Sequence, residues 1–464
     1  MHILANLKPH ASRTLPAPHR RPHAPPRTST TPKMQAQSPP STSFRNQFSD
    51  SAARPARVLD SPAVNRRFYA PDESLSGRFR SAPRKEKDTA KYARYRNRTV
   101  WAQALVLFNV VGIPMSQGVY LEERYNSKDG KMGLFALSVG PAVQILCILA
   151  VPMMVRWVYE RRGQRSGWRI AFLVATLLVV CAHLLLHWLG GYIPSLILLG
   201  PVAGIALGTL AGISTLVLSS HYRSDVPLVS TQSGFMGFLG AVIYTVLGVL
   251  AYAHITTAAL VAATLLAACG LMRRVDNPHQ TLPTPPFKAK VKILIPFTLG
   301  YTIILTTIFL LPLYSPLLIH THTPLLVSLA TAAISACLAA QTPSRLGIVN
   351  TFIAASIFAG AVAILPIFTP LPQLAVLCGV AYGIGLGAIV ALESKVAAGF
   401  CGRWGMVVGG VGALVGIVGA ALVMEGLEMG SRVVGGCAAG GLVLGGICVG
   451  VARGMNCPKV WVVV

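Results

Sequence analysis

Residues 200–208 read GPVAGIALG and residues 379–387 read GVAYGIGLG, and these two stretches decide the fold class. Aligned at an offset of 179 residues, both follow the pattern G-x-x-x-G-I-x-L-G. Each stretch lies in a long apolar segment, the fourth and the tenth of their kind along the chain. A match six segments apart is what two parallel six-helix repeats leave in a sequence.

The composition is that of an integral membrane protein. Of the 464 residues, 53% are hydrophobic and 12% are charged, whereas a soluble protein carries about 25% charged residues. This balance excludes an ordinary soluble enzyme. The sequence has neither a G-X-Y period nor a charged heptad, which excludes collagen and coiled coil.

A helix that crosses a membrane needs about 20 apolar residues, and twelve segments meet that requirement. We number them spans one to twelve. They cover residues 100–121, 133–157, 168–190, 192–219, 228–252, 254–272, 292–318, 323–341, 346–368, 371–393, 404–426 and 433–452.

The basic residues outside the spans predict the orientation. The connectors after spans two, four, six, eight and ten, together with the C-terminal tail, carry sixteen Lys and Arg. The connectors on the other side of the membrane carry four. The positive-inside rule therefore places both termini in the cytosol and requires an even number of spans. The predicted organisation is a tail (1–98), a first half (99–272), a linker (273–292), a second half (293–455) and a short C-terminal tail (456–464).

The N-terminal tail is rich in Pro, Ser, Arg and His and shows no apolar periodicity, which is typical of disorder. Its prolines oppose the amphipathic helix of an organelle transit peptide. The tail ends in KYARYRNR (91–98), which either fixes the orientation of span one or binds anionic lipid. Because these charges adjoin membrane spans, we expect lipid and not nucleic acid as their partner.

Nine cysteines are present, none in a C-x-x-C pair and nearly all in apolar stretches. They are expected to be reduced and buried, and we predict no metal and no cofactor. Glycines at four-residue spacing in spans four and ten allow close helix packing, which either is static or slides during transport. The glycine-rich spans five and eleven are the predicted partners of these two ladders.

Three stretches give the chain a resemblance to the major facilitator superfamily, and within it to the monocarboxylate-porter-like transporters of fungi. Residues 156–165, RWVYERRGQR, are similar to the superfamily signature G-x-L-x-D-R-x-G-R-K. Span one contains GIPMSQGVY (112–120), which looks like the S-F-G-V-F/Y segment of monocarboxylate porters. Span five, with QSG at 232–234 and GAVIY at 240–244, resembles their S-G-x-x-x-G-G-x-I-Y run.

The chain departs from that family in two places. Proton-coupled lactate porters carry a Lys in span one and an Asp/Arg pair in span eight. Here span one has no Lys between Val100 and Leu121, and span eight, TPLLVSLATAAISACLAAQ, carries no charge. An anionic substrate favours a cation in the cavity and proton coupling needs a titratable group, so the resemblance does not extend to lactate–proton symport.

The resemblance implies that spans one, four, seven and ten line a central cavity, so their polar residues are candidate substrate ligands or else interhelical hydrogen-bond partners. These candidates are Asn109, Ser116, Gln117, Tyr301, Thr302, Thr306 and Tyr382. The signature connector supplies candidate gating charges, which are Glu160, Arg161 and Arg165.

Two further pairs have alternative interpretations. His183 and His187, one turn apart in span three, form either a proton relay or part of the outer interface. Glu393 and Lys395, at the predicted end of span ten, are either a gate pair or a cytosolic flank.

These observations predict a secondary transporter that moves a small organic solute, for example a monocarboxylate, by alternating access. No G-x-x-x-x-G-K-[ST] motif is present, and the near absence of acids in the spans argues against an enzyme. The alternative is a non-transporting sensor on a transporter fold. We expect a monomer in contact with membrane lipids, with proton coupling as an option. The plasma membrane is the expected location and the vacuole or another organelle the alternative.

Overall fold

The computed structural model describes residues 84–126, 133–162, 167–189, 191–222, 233–250, 252–274, 291–319, 322–339, 347–368, 372–400, 405–426 and 430–456. Each range holds one of the twelve spans, and each span is helical. The helices are Arg84–Val110 and Gly112–Asn126 (span one), Leu134–Arg162 (two), Trp168–Leu189 (three), Tyr192–Ile197, the π-helix Leu198–Val202 and Ala203–Ser219 (four), Gly234–Gly248 (five), Ala253–Leu271 (six), Val291–Ile319 (seven), Thr323–Ala339 (eight), Ile348–Phe368 (nine), Pro372–Phe400 (ten), Gly405–Gly426 (eleven) and Gly430–Asn456 (twelve).

Ten of these spans are long and apolar enough to cross a membrane, and spans five and eight are shorter apolar helices of 15 and 17 residues. The predicted all-helical, multi-pass membrane architecture is therefore confirmed. Residues 1–83, most of the predicted tail, lie outside the described residues, as do 275–290 of the predicted linker.

Two helices extend beyond the predicted spans. The helix of span one begins at Arg84, inside the predicted disordered tail, because no Pro or Gly interrupts residues 84–111. Span ten continues to Phe400, so Glu393 and Lys395 lie within the helix and not beyond its end. Lys395 is buried, so this part of the helix is still packed within the bundle.

The glycine ladders of spans four and ten pack in the same way in the two halves, spans one to six and spans seven to twelve. A Cβ on Gly208 would lie 2.7 Å from the carbonyl oxygen of Cys147 in span two. A Cβ on Gly379 of span ten would lie 2.9 Å from the carbonyl oxygen of Pro324 in span eight. The predicted partners of these ladders, spans five and eleven, are thus wrong; span four packs on span two, and span ten on span eight.

Spans five and eleven have equivalent partners of their own. Gly237 of span five packs so closely on span one that a Cβ at this position would lie 2.7 Å from the Cβ of Val111. Gly409 of span eleven packs in the same way on Tyr301 of span seven. The pairs 4·2 and 5·1 in the first half therefore recur as 10·8 and 11·7 in the second. This correspondence extends the repeat from a nine-residue match to the packing of both halves.

The connectors repeat as well. Gly167 and Gly347, each directly before a span (three and nine), both have positive φ, at 108° and 85°. Glycine occupies this left-handed region without steric cost. The two positions are 180 residues apart, close to the offset of the ladders.

Two apolar cores follow the division into halves, with one difference. One core lies among spans one to six, around Phe172, Leu210 and Tyr244. The other joins spans seven to twelve and also takes in Met115 of span one, Ile145 of span two and Phe238 of span five. The second half of span one, the first half of span two and one face of span five thus pack against the other half of the protein.

Polar contacts join the two halves at the end of the bundle where span one ends and span two begins. We call it the opposite end, because most of the basic residues lie at the other end. Glu425, at the end of span eleven, accepts a hydrogen bond from the backbone N–H of Phe135 in span two at 3.1 Å. The Tyr314 hydroxyl of span seven lies 2.9 Å from Ser138 Oγ in span two. Glu122 Oε2 lies 3.4 Å from His322 Nδ1, which joins spans one and eight.

The other end, which carries most of the basic residues, is called the basic end. There Thr99, His221 and Arg273 join the ends of spans one, four and six. His221 Nε2 lies 2.6 Å from the carbonyl oxygen of Arg273 and 3.2 Å from Thr99 Oγ1. Because a carbonyl only accepts, Nε2 carries the hydrogen of that bond. These contacts lie within the first half, so they fix its helices relative to one another.

Candidate functional site

Two adjacent cavities lie among spans one to six towards the opposite end and share the side chains of Gln117, Tyr120 and Leu199. The first cavity lies between spans one, two and four, where its lining includes Arg124, Pro141, Tyr192 and Ser195. The second lies between spans one, three, four, five and six, where its lining includes Ser116, His183, Tyr244, His254 and Thr257. Of the predicted ligands, Gln117 and Ser116 are placed at these cavities.

Gln117 forms the wall between the two cavities. It is 4% exposed, and none of the hydrogen bonds of the described residues involves its amide. The amide is accessible from the two cavities that Gln117 lines. Water or a polar ligand in either cavity can therefore bind it. Ser116 beside it already donates to the carbonyl oxygen of Ile113 at 2.9 Å, so it is less available.

The first cavity exists because span four departs from α-helical geometry. Pro201 lies in the π-helix Leu198–Val202, where its missing N–H removes one helical hydrogen bond. At this level Gly200 packs against Gly140 of span two, with 3.3 Å between a Cβ built on Gly200 and the Gly140 carbonyl oxygen. Tyr192, in the lining of this cavity, donates to the carbonyl oxygen of Ala136 at 3.0 Å and keeps its lone pairs as acceptors.

The second cavity contains two imidazoles. His183 is 3% exposed, and its Nδ1 lies 2.9 Å from the carbonyl oxygen of Val179. Nδ1 therefore carries a hydrogen, and Nε2 in the neutral ring is an acceptor. His254, at the start of span six, stacks on Tyr120 with a centroid distance of 5.5 Å. Its Nδ1 is buried and has no hydrogen-bond partner within the described part of the chain.

The structure does not bring His183 and His187 together as the proton relay considered for span three. His187 is exposed and contacts Trp188 and Tyr252, with ring centroids 5.9 and 6.4 Å apart. His183 faces inward, and the second imidazole of its cavity is His254 of span six. Sequence spacing carries no signal for this pairing, because the two residues are 71 positions apart and belong to different spans.

Asn109 lies deeper in the first half and not at either cavity. Its Nδ2 donates to the carbonyl oxygen of Leu105 at 2.8 Å and contacts Thr264 Oγ1 at 3.0 Å. The Tyr244 hydroxyl donates to Asn109 Oδ1 at 2.5 Å. These contacts join spans one, five and six, which is the interhelical alternative considered for this residue.

The second-half candidates are spread over two packing faces. Thr302 and Thr306 of span seven lie against Gly412 and Gly416 of span eleven, and the Thr306 hydroxyl donates to the Thr302 carbonyl at 2.9 Å. Tyr301 contacts Met406 Sδ at 3.0 Å through its hydroxyl.

Tyr382 and Glu393, both in span ten, differ from these because each has a buried oxygen for which the described residues provide no hydrogen-bond partner. They are eleven residues apart, three helical turns, and therefore share one face of the helix. Among the predicted second-half ligands, Tyr382 is thus the one with unused hydrogen-bonding capacity.

The candidate gating charges Glu160, Arg161 and Arg165 lie outside the side chains that the structure describes. Among the described residues, no group of three or more His, Cys, Asp or Glu is arranged to hold a metal ion.

No protein-family model and no curated protein matches the chain. Solved structures do match it, two transporters among them. A mutant of the nucleoside transporter NupG superposes with a TM-score of 0.54 at 13% identity, over 78% of this chain and 99% of that one. The human organic anion transporter MFSD10 (TETRAN) gives a TM-score of 0.54 at 16% identity, over 77% and 99%.

The chain therefore has the major facilitator fold, and at these identities the likeness extends to the fold alone. The predicted fold, twelve helices in two six-helix repeats, is confirmed. The two solved proteins are transporters by name.

Proposed function

We propose that the protein is a secondary transporter that moves a small organic solute by alternating access. The observation that carries this proposal is the division of the bundle into two halves with the same internal packing. Within each half, helices pack closely at glycines, which stiffens the half. Gly118 of span one makes one such contact across the interface, with the carbonyl oxygen of Pro312 in span seven. Between the halves, the polar contacts at the opposite end are made by the side chains of Glu122, Ser138, Glu425 and their partners, which can part without unfolding a helix.

The solute that the first cavity favours is a small carboxylate. Arg124 and Gln117 line it, and a guanidinium pairs with a carboxylate through two parallel hydrogen bonds. Tyr120 and Ser195 add hydroxyl groups. The two solved neighbours bear the names of a nucleoside transporter and an organic anion transporter, and the cation here supports the anionic class. A monocarboxylate is the simplest member of that class.

Reconstitution tests the proposal. The full chain in proteoliposomes is given radiolabelled monocarboxylates, amino acids and vitamins, with and without a pH gradient. We expect uptake of at least one monocarboxylate, and at least a tenfold loss in R124Q. K292Q, at the basic end, is the matched control for loss of a positive charge. If none of these solutes enters faster than into empty vesicles, the proposal is wrong and the sensor hypothesis gains support.

The proposal also includes the topology, the oligomeric state and the location of the protein. Both termini are in the cytosol, the protein is a monomer, and the plasma membrane is its location. Cysteine accessibility at the two ends of the chain tests the orientation, because labelling of the termini from opposite sides of the membrane would contradict an even number of spans.

A further inference from the structure

The guanidinium of Arg453 is a buried cation with an unused hydrogen-bond donor. Arg453 lies in the last turn of span twelve and is 7% exposed. Its Nη2 is buried, and the described residues provide neither a hydrogen-bond partner nor an ion pair for this side chain. A buried charge without a partner loses the solvation that water gives it. An anion that reaches the remaining exposed surface of Arg453 would therefore be bound.

The packing of span twelve on span nine places Arg453 at the start of span nine. A Cβ on Gly446 would lie 2.9 Å from Ile357 Cγ1, and a Cβ on Gly450 would lie 3.9 Å from Ile353. The contacts thus move towards the start of span nine as span twelve approaches its end. Arg453 follows Gly446 by seven residues and shares its face of the helix. The same progression directs Arg453 at the first turn of span nine.

That first turn offers backbone N–H groups to an anion. Thr351 donates the first helical hydrogen bond, to the carbonyl oxygen of Gly347 at 3.0 Å. The N–H groups of Ile348 and Val349 precede it, so no helical carbonyl is available to them. Gly347, at φ 85°, has no side chain that could cap them. An uncapped helix N-terminus favours an anion through its donors and through the helix dipole.

We propose that Arg453 and the first turn of span nine form a binding site for a phosphate group at the basic end of the second half. A guanidinium binds two phosphate oxygens through parallel hydrogen bonds, and the other oxygens accept from backbone N–H groups. The phosphate belongs either to a lipid headgroup at the membrane surface or to a soluble molecule. The site lies outside both cavities of the first half, so it does not depend on the proposed transport.

The first half supplies a matched control. Arg273 precedes Arg453 by 180 residues, and Gly167 precedes Gly347 by the same number. Spans three and nine both begin with a backbone hydrogen bond to their glycine. Arg273 is exposed, so water solvates its guanidinium. R273Q therefore removes the equivalent positive charge without removing a buried, unpaired donor.

Thermal unfolding tests the site with inorganic phosphate as the probe. Purified full-length protein in neutral detergent is titrated with phosphate against chloride at constant ionic strength. We expect phosphate to stabilise wild type and R273Q, and R453Q to need about tenfold more phosphate, because charge-assisted hydrogen bonds are lost. R453K keeps the charge without the two parallel bonds and should fall between them. In chloride alone R453Q should be at least as stable as wild type, since it has no buried charge to desolvate.

Native mass spectrometry of the same proteins distinguishes the two sources of phosphate. Phosphatidylglycerol is compared with phosphatidylcholine of identical acyl chains, whose phosphate charge is balanced by choline. A preference for phosphatidylglycerol that R453Q loses and R273Q keeps would assign a lipid headgroup. Stabilisation by inorganic phosphate without this preference would assign a soluble phosphate.

Three results would overturn the phosphate site. Wild type could bind neither probe more tightly than its reference, R453Q could bind both as wild type does, or R273Q could lose binding as fully as R453Q. None of these results bears on the carboxylate proposed at Arg124 in the first half, whose test is uptake into proteoliposomes. The two proposals therefore fail separately.

Discussion

Asn109 is the residue at which a structural and a ligand role differ most clearly. Its amide joins three spans through Tyr244, Thr264 and Leu105. We expect N109A to lower the free energy of unfolding in detergent by about 1–2 kcal/mol, because buried partners lose an interhelical hydrogen bond. The KM for the transported solute should not change. A raised KM with unchanged stability would return Asn109 to the substrate ligands.

His221, beyond the end of span four, makes stability depend on pH. Burial lowers the pKa of His221, and the charge of Arg96 lowers it further, while the hydrogen bond to Arg273 opposes the change. The unfolded chain then binds a proton that the folded protein does not. Stability is therefore complete above the unfolded pKa of about 6.5 and falls as the pH drops towards the folded pKa.

The measurement is the unfolding midpoint as a function of pH for wild type and H221Q. We expect the decline below about pH 6.5 to be shallower in H221Q. Equal slopes in the two proteins would show that His221 is protonated in the folded state or solvated there.

The sequence identifies single residues better than their partners. The place of Gln117 in span one predicts it as a ligand, and it lines both cavities. His254 and Arg124 carry no such signal, because each lies at the end of a span, where a polar residue is ordinary. Their importance comes from neighbours in other spans, and that information is absent from a local pattern.

At the level of helices, we expect the effect of a Gly-to-Ala substitution on stability to depend on how closely the neighbouring helix packs against that glycine. In Gly208→Ala the new methyl group would lie 2.7 Å from the Cys147 carbonyl oxygen and 2.9 Å from Val151 Cβ. Overpacking of this kind costs about 1–3 kcal/mol, so the thermal midpoint should fall. Gly419→Ala, in span eleven, meets nothing within 4 Å and is the control. It should be neutral or stabilising by up to about 1 kcal/mol, because Ala favours helix over Gly. Equal effects of the two substitutions would contradict the close packing of spans two and four.

Spans are easier to predict than their packing. Twelve apolar segments follow from length and hydropathy, since the bilayer fixes both. Their richness in glycine predicts spans five and eleven as partners of the ladders, yet Gly204 and Gly208 pack on Gln144 and Cys147 of span two. A glycine needs a close backbone opposite it, and any residue type provides that backbone.

For the whole molecule, the repeat and the core boundaries describe two halves that meet through spans one, two and five of the first half. The first-half core ends within span one, where Ile113 belongs to it and Met115 belongs to the other. The boundary falls near the break between helices Arg84–Val110 and Gly112–Asn126. Span one thus contributes its basic end to one half and its opposite end to the interface, as a rocking motion about that interface requires.

Closing this interface permanently should stop transport. Glu122 and His322 belong to different halves, and Glu122 Oε2 lies 3.4 Å from His322 Nδ1 at the opposite end. We expect E122C/H322C, joined by a short bifunctional thiol reagent, to lose solute uptake in proteoliposomes, because the opposite end can no longer open. T99C/H221C is the matched control, because Thr99 Oγ1 lies 3.2 Å from His221 Nε2 within the first half. Joining these two residues leaves the halves free to move. Reversal of the cross-link should restore uptake. Full uptake by the cross-linked E122C/H322C protein, with the cross-link verified by mass spectrometry, would exclude rocking of the halves at this end.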